Sequence, residues 1–264
     1  MTVKLIHGDC LIEMQNIPDK SIDLTVTSPP YDNLRTYNNS LEWGEHIWKP
    51  IIQELYRITK DGGVVVWVVG DATIKGSETG TSFKQALYFK EIGFNLHDTM
   101  IWNKPNPVPQ FPAIKRYTSA FEYMFIFTKS HIKNFNPLIT SCKTAGKKKN
   151  RNTHSAFSEQ SADRQRDVIT TTKETKILSN IWDIGVGSKN KDHPAIFPEK
   201  LANDHIVSWS NEEDLVYDPF MGSGTTAKMA ILNNRKWIGS EMSAEYCDIT
   251  NKRIEPYLQQ NKIF

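Results

Sequence analysis

The sequence has few cysteines and no long apolar run, and both shortages exclude whole classes of protein. Among its 264 residues, Cys10, Cys142 and Cys247 lie far apart with no CxxC spacing. A disulfide framework and a zinc site therefore do not fit, whereas a reducing cytoplasm does. The longest apolar run, residues 64–69, is far too short to cross a bilayer, and residues 1–20 mix charged with apolar side chains, unlike a signal peptide. We expect a cytoplasmic protein with no membrane partner.

Positive and negative charges nearly balance, so net charge alone neither requires nor excludes a nucleic acid partner. The formal net charge is +2 at pH 7, and 39% of the residues are hydrophobic, enough for a buried core. The positive excess is concentrated in residues 140–176, which hold nine Lys or Arg against four Asp or Glu. This stretch is either a solvated loop or a contact to nucleic acid phosphates. The candidate phosphate contacts are Lys147, Lys148, Lys149, Arg151, Arg164 and Arg166.

Outside that stretch, segments of strand and helix type alternate along the chain. Residues 22–27 alternate and are β-branched, and residues 64–69 are continuously apolar, as in a strand buried on both faces. Apolar residues at helical spacing occur in residues 45–59, and Lys-Asp-Gly-Gly at 60–63 predicts a turn between helix and strand. Further strands are predicted at residues 95–102, 121–128, 215–217 and 236–239, and further helices at 83–91, 198–208, 225–232 and 244–258. The alternation predicts an α/β fold.

No P-loop and no GxGxxG motif is present, but a different glycine-rich segment follows the strand at residues 215–217. It reads Asp-Pro-Phe-Met-Gly-Ser-Gly-Thr-Thr, residues 218–226. Gly222 and Gly224 would let the backbone approach a ligand, and the next helix N-terminus would favour a carboxylate. About twenty residues on, Glu241 is placed to accept hydrogen bonds from ribose hydroxyls. The alternative is a purely structural turn between strand and helix.

A second segment, Ser28-Pro29-Pro30-Tyr31, follows the strand at residues 22–27. Two prolines cannot continue a hydrogen-bonded ladder, so the strand must end there. The Ser28 oxygen and the Pro29 carbonyl could accept hydrogen bonds from an exocyclic amine, and Tyr31 offers a flat surface on which a base can stack. The alternative is a Pro-Pro strand terminator with a packing tyrosine.

Together these segments resemble the β-type amino-group DNA methyltransferases, which methylate N4 of cytosine or N6 of adenine. Residues 218–226 are similar to the family's cofactor motif and residues 27–31 to its catalytic motif, and the catalytic motif comes first, as in the β type. Other similar segments are residues 8–10, 101–105, 181–184, 193–198, 238–241 and 245–246. The resemblance implies a mostly parallel, doubly wound, Rossmann-like sheet with a circularly permuted motif order. One departure is Ser240, where the family often has Ile or Val before the acid.

The resemblance also implies the cofactor and the residues that hold it. S-adenosylmethionine is the expected cofactor, with Asp9 at its adenine. The other implied cofactor-binding residues are Asp218, Phe220, Gly222, Gly224, Thr225 and Glu241.

The implied reaction is direct methyl transfer to a base that is flipped out of the duplex. The implied catalytic residues are Ser28, Pro29, Pro30 and Tyr31, and no metal is needed. A serine at the first position of the tetrapeptide favours N4 of cytosine, whereas aspartate would favour N6 of adenine, which stays the alternative. Methylation at carbon 5 of cytosine is disfavoured, because it needs a cysteine nucleophile, generally after a proline, and no cysteine here follows one.

The expected partner is double-stranded DNA, and the polar stretch between the two motifs is the candidate for target recognition. We therefore expect residues 1–139 and 177–264 to form the catalytic domain around a recognition insertion at 140–176. A homodimer and a cognate restriction endonuclease stay open as partners. An RNA or protein methyltransferase is a rival, although many of those place Asn-Pro-Pro-Tyr after the cofactor motif. A non-catalytic DNA-binding module is a second rival, and the intact motifs argue against it.

Overall fold

The computed structural model of the protein describes residues 4–30, 43–109, 115–151, 168–186 and 197–260, with only the backbone at 149–151, 168–170 and 260. The chain divides into two compact units, Met1–Asn136 with Asn180–Phe264, and Pro137–Ser179. No helix among the described residues is long and apolar enough to span a membrane.

The larger unit alternates strands and helices, as the sequence predicts. Its helices are α1 Cys10–Met14, α2 Glu45–Ile58, α3 Thr81–Ile92, α4 Glu199–Trp209, α5 Thr225–Leu232 and α6 Ala244–Gln260. Its strands are β1 Lys4–His7, β2 Ile22–Thr27, β3 Thr59–Val69, β4 Thr73–Ile74, β5 Ser77–Glu78, β6 Asn95–Asn103, β7 Phe121–Thr128, β12 Ile181–Asp183, β13 Leu215–Asp218 and β14 Lys236–Glu241.

Eight of these strands form one sheet in the order β1-β14-β13-β2-β3-β7-β6-β12. The pairs that β7 makes with β3 and β6 are antiparallel, and the other five pairs are parallel. The predicted mostly parallel α/β sheet is confirmed. Since β1, β14, β13 and β2 are parallel neighbours, their carboxyl ends meet at one edge, where open α/β sheets bind ligands.

The core packs helices against this sheet. Of the apolar α2 residues at helical spacing, Ile51, Ile52, Leu55 and Ile58 are buried and Ile47 is partly buried. The Phe89 ring on α3 stacks on Phe127 of β7 with their centroids 4.0 Å apart. All residues of β3 from position 64 to 69 are buried, as a strand covered on both faces requires. This packing fixes the strand ends that carry the predicted motifs.

The predicted turn at residues 60–63 is wrong, because these residues belong to β3. The strand begins at Thr59, and its register against β2 shifts between Ile22 and Leu24. Gly62 takes a left-handed φ of +84° within this irregularity, and its N–H donates to the carbonyl of Lys129 at 2.6 Å. A bulge and a turn can both place a residue at positive φ, which glycine adopts without steric cost. The glycines at this point therefore do not show from sequence alone which of the two forms.

The smaller unit, Pro137–Ser179, contains a two-stranded antiparallel ribbon in two segments. Strand β8 Ile139–Ser141 pairs with β11 Thr175–Ile177, and β9 Lys148–Arg151 pairs with β10 Val168–Thr171. Backbone hydrogen bonds from Cys142 to Glu174 and between Lys147 and Thr172 join the segments. The reading of this stretch as a simple solvated loop therefore does not hold for its paired residues.

Candidate active site

The sheet brings together motifs from opposite ends of the sequence. Ser28 follows β2 and the glycine-rich loop follows β13, and these strands are hydrogen-bonded neighbours. Glu241 ends β14 on the other side of β13. At the end of β1, the Gly8 N–H donates to the Glu241 carbonyl at 2.9 Å, so Asp9 lies beside the same strand end. The structure thus gathers the predicted catalytic and cofactor segments at one edge.

The glycine-rich loop is held in a conformation that requires glycine. Gly222 and Gly224 have φ angles of +53° and +81°. A Cβ at Gly224 would lie 2.7 Å from Cγ2 of Thr250, so a side chain has no room there. The Thr250 hydroxyl also donates to the Gly222 carbonyl at 2.8 Å. Gly224 caps α5, and Thr225 begins that helix.

Helix α6 supports the outer side of this loop. The Arg253 guanidinium donates to the Ser223 carbonyl and hydroxyl, each at 3.0 Å, and to the Thr225 hydroxyl at 3.1 Å. It also pairs with Glu199 at 2.7 Å, as does Lys228. Sequence patterns gave no signal for this network, because its members are distant in the chain.

Glu241 lies half-buried at the end of β14 and is tied to the glycine-rich loop. One carboxylate oxygen accepts from the Gly222 N–H at 2.8 Å, and the other accepts from the Ser243 N–H at 2.9 Å. Each oxygen has a second lone pair that can accept from a ribose hydroxyl. This arrangement suits the predicted role of the acid.

Close packing seats the loop directly on the sheet. A Cβ at Gly239 of β14 would lie 2.1 Å from Cε of Met221, so the loop side chain occupies that space. Phe220 meets Trp43 edge-on with ring centroids 5.6 Å apart, and it also lies near Trp67. Phe220 is partly buried, so this aromatic group forms an apolar wall beside the loop.

Asp218 at the end of β13 is almost wholly buried, with 5% of its surface exposed. One carboxylate oxygen accepts from the Thr27 hydroxyl at 2.7 Å and from the Phe220 N–H at 3.0 Å. Burial raises the pKa of this carboxyl to about 6, against the opposing effect of hydrogen bonds from Thr27 and Thr226. The carboxylate therefore connects protein segments, and direct contact with a cofactor stays a prediction.

Asp9 has a structural partner of its own. It caps α1, and its carboxylate accepts from the Leu11 N–H at 2.8 Å. Its contact with the cofactor adenine stays a prediction.

The catalytic segment is partly described. Ser28 and Pro30 are partly exposed after β2 and Pro29 is buried, whereas Tyr31 lies outside the described residues. The strand ends at Thr27, as the prolines require. Thr27 belongs to the predicted catalytic motif, but no sequence pattern indicated its hydrogen bond to Asp218.

The residues predicted to contact DNA fall in the smaller unit. Lys147 and Lys148 are exposed, and Lys148 begins β9. Lys149 and Arg151 lie on the same strand, which the structure describes by its backbone. Arg164 and Arg166 lie outside the described residues.

Comparison with known proteins identifies the family. The family model N6_N4_Mtase, described as DNA methylase, matches residues 22–252. The orphan methyltransferase M.BamHII of Bacillus amyloliquefaciens is 54% identical over 259 residues, which cover 94% of each chain. The DNA adenine methyltransferase YhdJ of Escherichia coli (strain K12) is 27% identical over 95% of this chain and 82% of its own length.

Solved structures show the same fold. The PvuII DNA methyltransferase, which is cytosine-N4-specific, superposes with a TM-score of 0.67 at 22% identity and covers 98% of this chain and 93% of its own. M1.HpyAVI in complex with SAM gives a TM-score of 0.62 at 22% identity over 96% of this chain and 99% of its own. Fold and site thus define a Rossmann-like methyltransferase.

The chain belongs to the DNA methylase family of N6 and N4 enzymes. It is a DNA methyltransferase, and S-adenosylmethionine is its cofactor.

Proposed function

We propose that this enzyme methylates N4 of cytosine at a specific sequence in duplex DNA. The observation that carries the choice of base is Ser28 at the first position of Ser-Pro-Pro-Tyr, directly after β2. Relatives include a DNA adenine methyltransferase, so family membership leaves the base open and N6 of adenine remains the alternative.

Ser28, Pro29 and Pro30 supply the surroundings of the target amine. The base is flipped out of the duplex at a cost of a few kcal/mol, because its amine is unreachable inside the stack. Ser28 Oγ and the Pro29 carbonyl accept from the amine, and fixed acceptors stabilise positive charge that develops on its nitrogen. Pro30 stiffens the segment, and Tyr31 stacks on the base. When bound, S-adenosylmethionine supplies an electrophilic methyl group on a sulfonium.

The loop residues fit the chemical groups of this cofactor. Glu241 can accept from ribose hydroxyls, while Phe220 and its aromatic neighbours offer an apolar surface to the rest of the molecule. The α5 N-terminus at Thr225 favours the carboxylate of the methionine part. Left-handed Gly222 and Gly224 permit close backbone approach, and Asp9 is our candidate for the adenine amine. The Asp218 carboxylate holds the start of the loop by accepting from the Phe220 N–H.

The smaller unit is our candidate for target recognition. A two-stranded ribbon has the dimensions to enter a major groove, and exposed lysines such as Lys147 and Lys148 suit phosphates. The relative M.BamHII is an orphan methyltransferase, which favours action without a cognate endonuclease here too. We also propose a cytoplasmic location, and a homodimer stays open.

Product analysis tests the choice of base. Synthetic duplexes of mixed sequence, free of prior methylation, are incubated with S-adenosylmethionine that carries a deuterated methyl group. Digestion to nucleosides and mass spectrometry then identify the labelled product. Labelled N4-methylcytosine supports the proposal. Labelled N6-methyladenine overturns the choice of base while leaving the methyltransferase assignment in place.

A control separates transfer by this site from contamination. The Glu241→Ala variant, purified in parallel, should give little labelled nucleoside because it lacks the acid that receives the ribose. Equal label from this variant would show that the measured activity does not depend on Glu241.

A further inference from the structure

A buried hydrogen bond joins the catalytic strand to the cofactor loop. Thr27 Oγ1 donates to Asp218 Oδ1 at 2.7 Å across 191 positions of sequence. Thr27 is fully buried, and it immediately precedes Ser28. We infer that the Thr27 hydroxyl is a positioning group that sets Ser28 and the Pro29 carbonyl against the cofactor loop. This inference rests on the proposed catalytic role of Ser28 and Pro29, and it is independent of which base is methylated.

Thr27 Oγ1 is a side-chain link between the end of β2 and the cofactor loop, in addition to the backbone pairing of β2 with β3 and β13. Asp218 also holds the Phe220 N–H, so the loop keeps that contact when Thr27 changes. The Thr226 hydroxyl is a second group beside the Asp218 carboxylate, and it also donates to the Val26 carbonyl at a longer 3.3 Å. Loss of the Thr27 hydroxyl therefore removes this side-chain link from the end of β2, while the loop keeps its own contact with Asp218 through the Phe220 N–H. Methyl transfer depends on alignment, and a misplacement of about 1 Å can lower a rate about 100-fold.

The hydrogen bond from Thr27 also changes the pKa of Asp218, and this change can be measured separately from turnover. A hydroxyl that donates to a carboxylate favours its ionised form, so Thr27 lowers the pKa of Asp218 against the effect of burial. The other titratable groups that face Asp218 are Glu241 on β14, Cys10 on α1 and Tyr217 on β13. They remain unchanged when Thr27 is replaced.

The chain provides a matched control two residues earlier. Thr25 lies on the same face of β2 and is fully buried, like Thr27. Its hydroxyl has no hydrogen-bond partner among the residues that the structure describes. Thr25→Val and Thr27→Val therefore make the same chemical change in the same strand, and only the second removes a hydrogen bond to Asp218.

The experiment compares Thr27→Val, Thr27→Ser and Thr25→Val in the full-length enzyme. Circular dichroism checks folding, calorimetry gives the Kd for S-adenosylmethionine, and methyl transfer to duplex DNA gives kcat. We expect Thr27→Val to lower kcat about 10- to 100-fold while changing the Kd about threefold or less. Thr27→Ser should recover most of the rate, and Thr25→Val should match the wild type. The pH at which Asp218 titrates, followed by urea unfolding against pH, should rise in Thr27→Val alone.

Three outcomes would overturn the inference. One is wild-type turnover by Thr27→Val, and another is an equal loss in Thr25→Val, which would show general damage to the strand. The third is a failure of Thr27→Ser to recover the rate, since the loss would then come from packing. If Thr27→Val does not fold, Thr27→Ala takes its place and is compared with Thr27→Ser, from which it differs only by the hydroxyl. Equal rates for these two variants would overturn the inference. None of these outcomes depends on whether the product is methylcytosine or methyladenine.

Discussion

The hydroxyl groups of Tyr217 and Ser240 lie 3.0 Å apart on the neighbouring strands β13 and β14, and both side chains are fully buried. Ser240 is the position where this sequence departs from the apolar residue common in its family. The structure supplies a physical reason for the departure. A buried phenol needs a hydrogen-bond partner, and Ser240 provides it beneath the cofactor site.

Restoring an apolar residue at this position should destabilise the protein. Ser240→Val leaves the Tyr217 hydroxyl unpaired, and such a loss costs about 1–3 kcal/mol of unfolding free energy. The double variant Tyr217→Phe with Ser240→Val should recover most of that loss, because both polar groups are gone. Urea unfolding of the four proteins measures the coupling. Additive losses in the double variant would show that the two hydroxyls do not interact.

The buried carboxyl of Asp218 should make stability depend on pH. Its pKa is about 6 in the folded protein against an ordinary value of 3.8, so the folded state holds the proton more tightly. The stabilisation from this proton is present below about pH 4 and is lost as pH rises through about 6, a change of about 3 kcal/mol. Asp218→Asn removes this titration. Urea unfolding from pH 4 to 7 should show the wild type losing stability relative to the variant, and parallel curves would contradict the prediction.

Helix α6 should contribute to cofactor affinity without touching the cofactor. Arg253→Gln loses charged hydrogen bonds to Ser223 and Thr225, which lets the glycine-rich loop move. We expect the Kd for S-adenosylmethionine to rise about tenfold, which corresponds to about 1.4 kcal/mol. Lys252→Gln removes the same charge from an exposed neighbour on α6 and serves as the control. Calorimetry compares both variants, and equal affinities would remove Arg253 from the support of the loop.

Tyr31 should affect turnover and spare the cofactor. Replacing it with alanine removes the proposed stacking surface for the flipped base, worth about 1–3 kcal/mol per base. Steady-state methylation should show a lower kcat/KM for DNA, while the calorimetric Kd for S-adenosylmethionine stays near the wild-type value. A large loss of cofactor affinity would mean that Tyr31 belongs to the other part of the site.

Local patterns predicted most of the elements that carry the site. The prolines at 29 and 30 end β2 where expected, and β7 and α5 have the predicted bounds. The start of β3 was wrong because glycine suits a bulge as well as a turn. The bond between Thr27 and Asp218 had no local signal, since its partners are brought together only by the strand order. For the same reason, Arg253 was missed although it holds the glycine-rich loop.

The position of β2 between β3 and β13 has a consequence for how the protein is made. During synthesis, β2 and β3 emerge early, but β13 leaves the ribosome about 190 residues later. Until then, one edge of β2 has no neighbouring strand in the sheet. An unpaired edge of an apolar strand can form hydrogen bonds with other chains and so promotes aggregation. The sheet therefore cannot be completed until late in translation. Pairing between strands so distant in sequence also slows folding. Chaperone demand should thus be greatest in the interval before β13 is released.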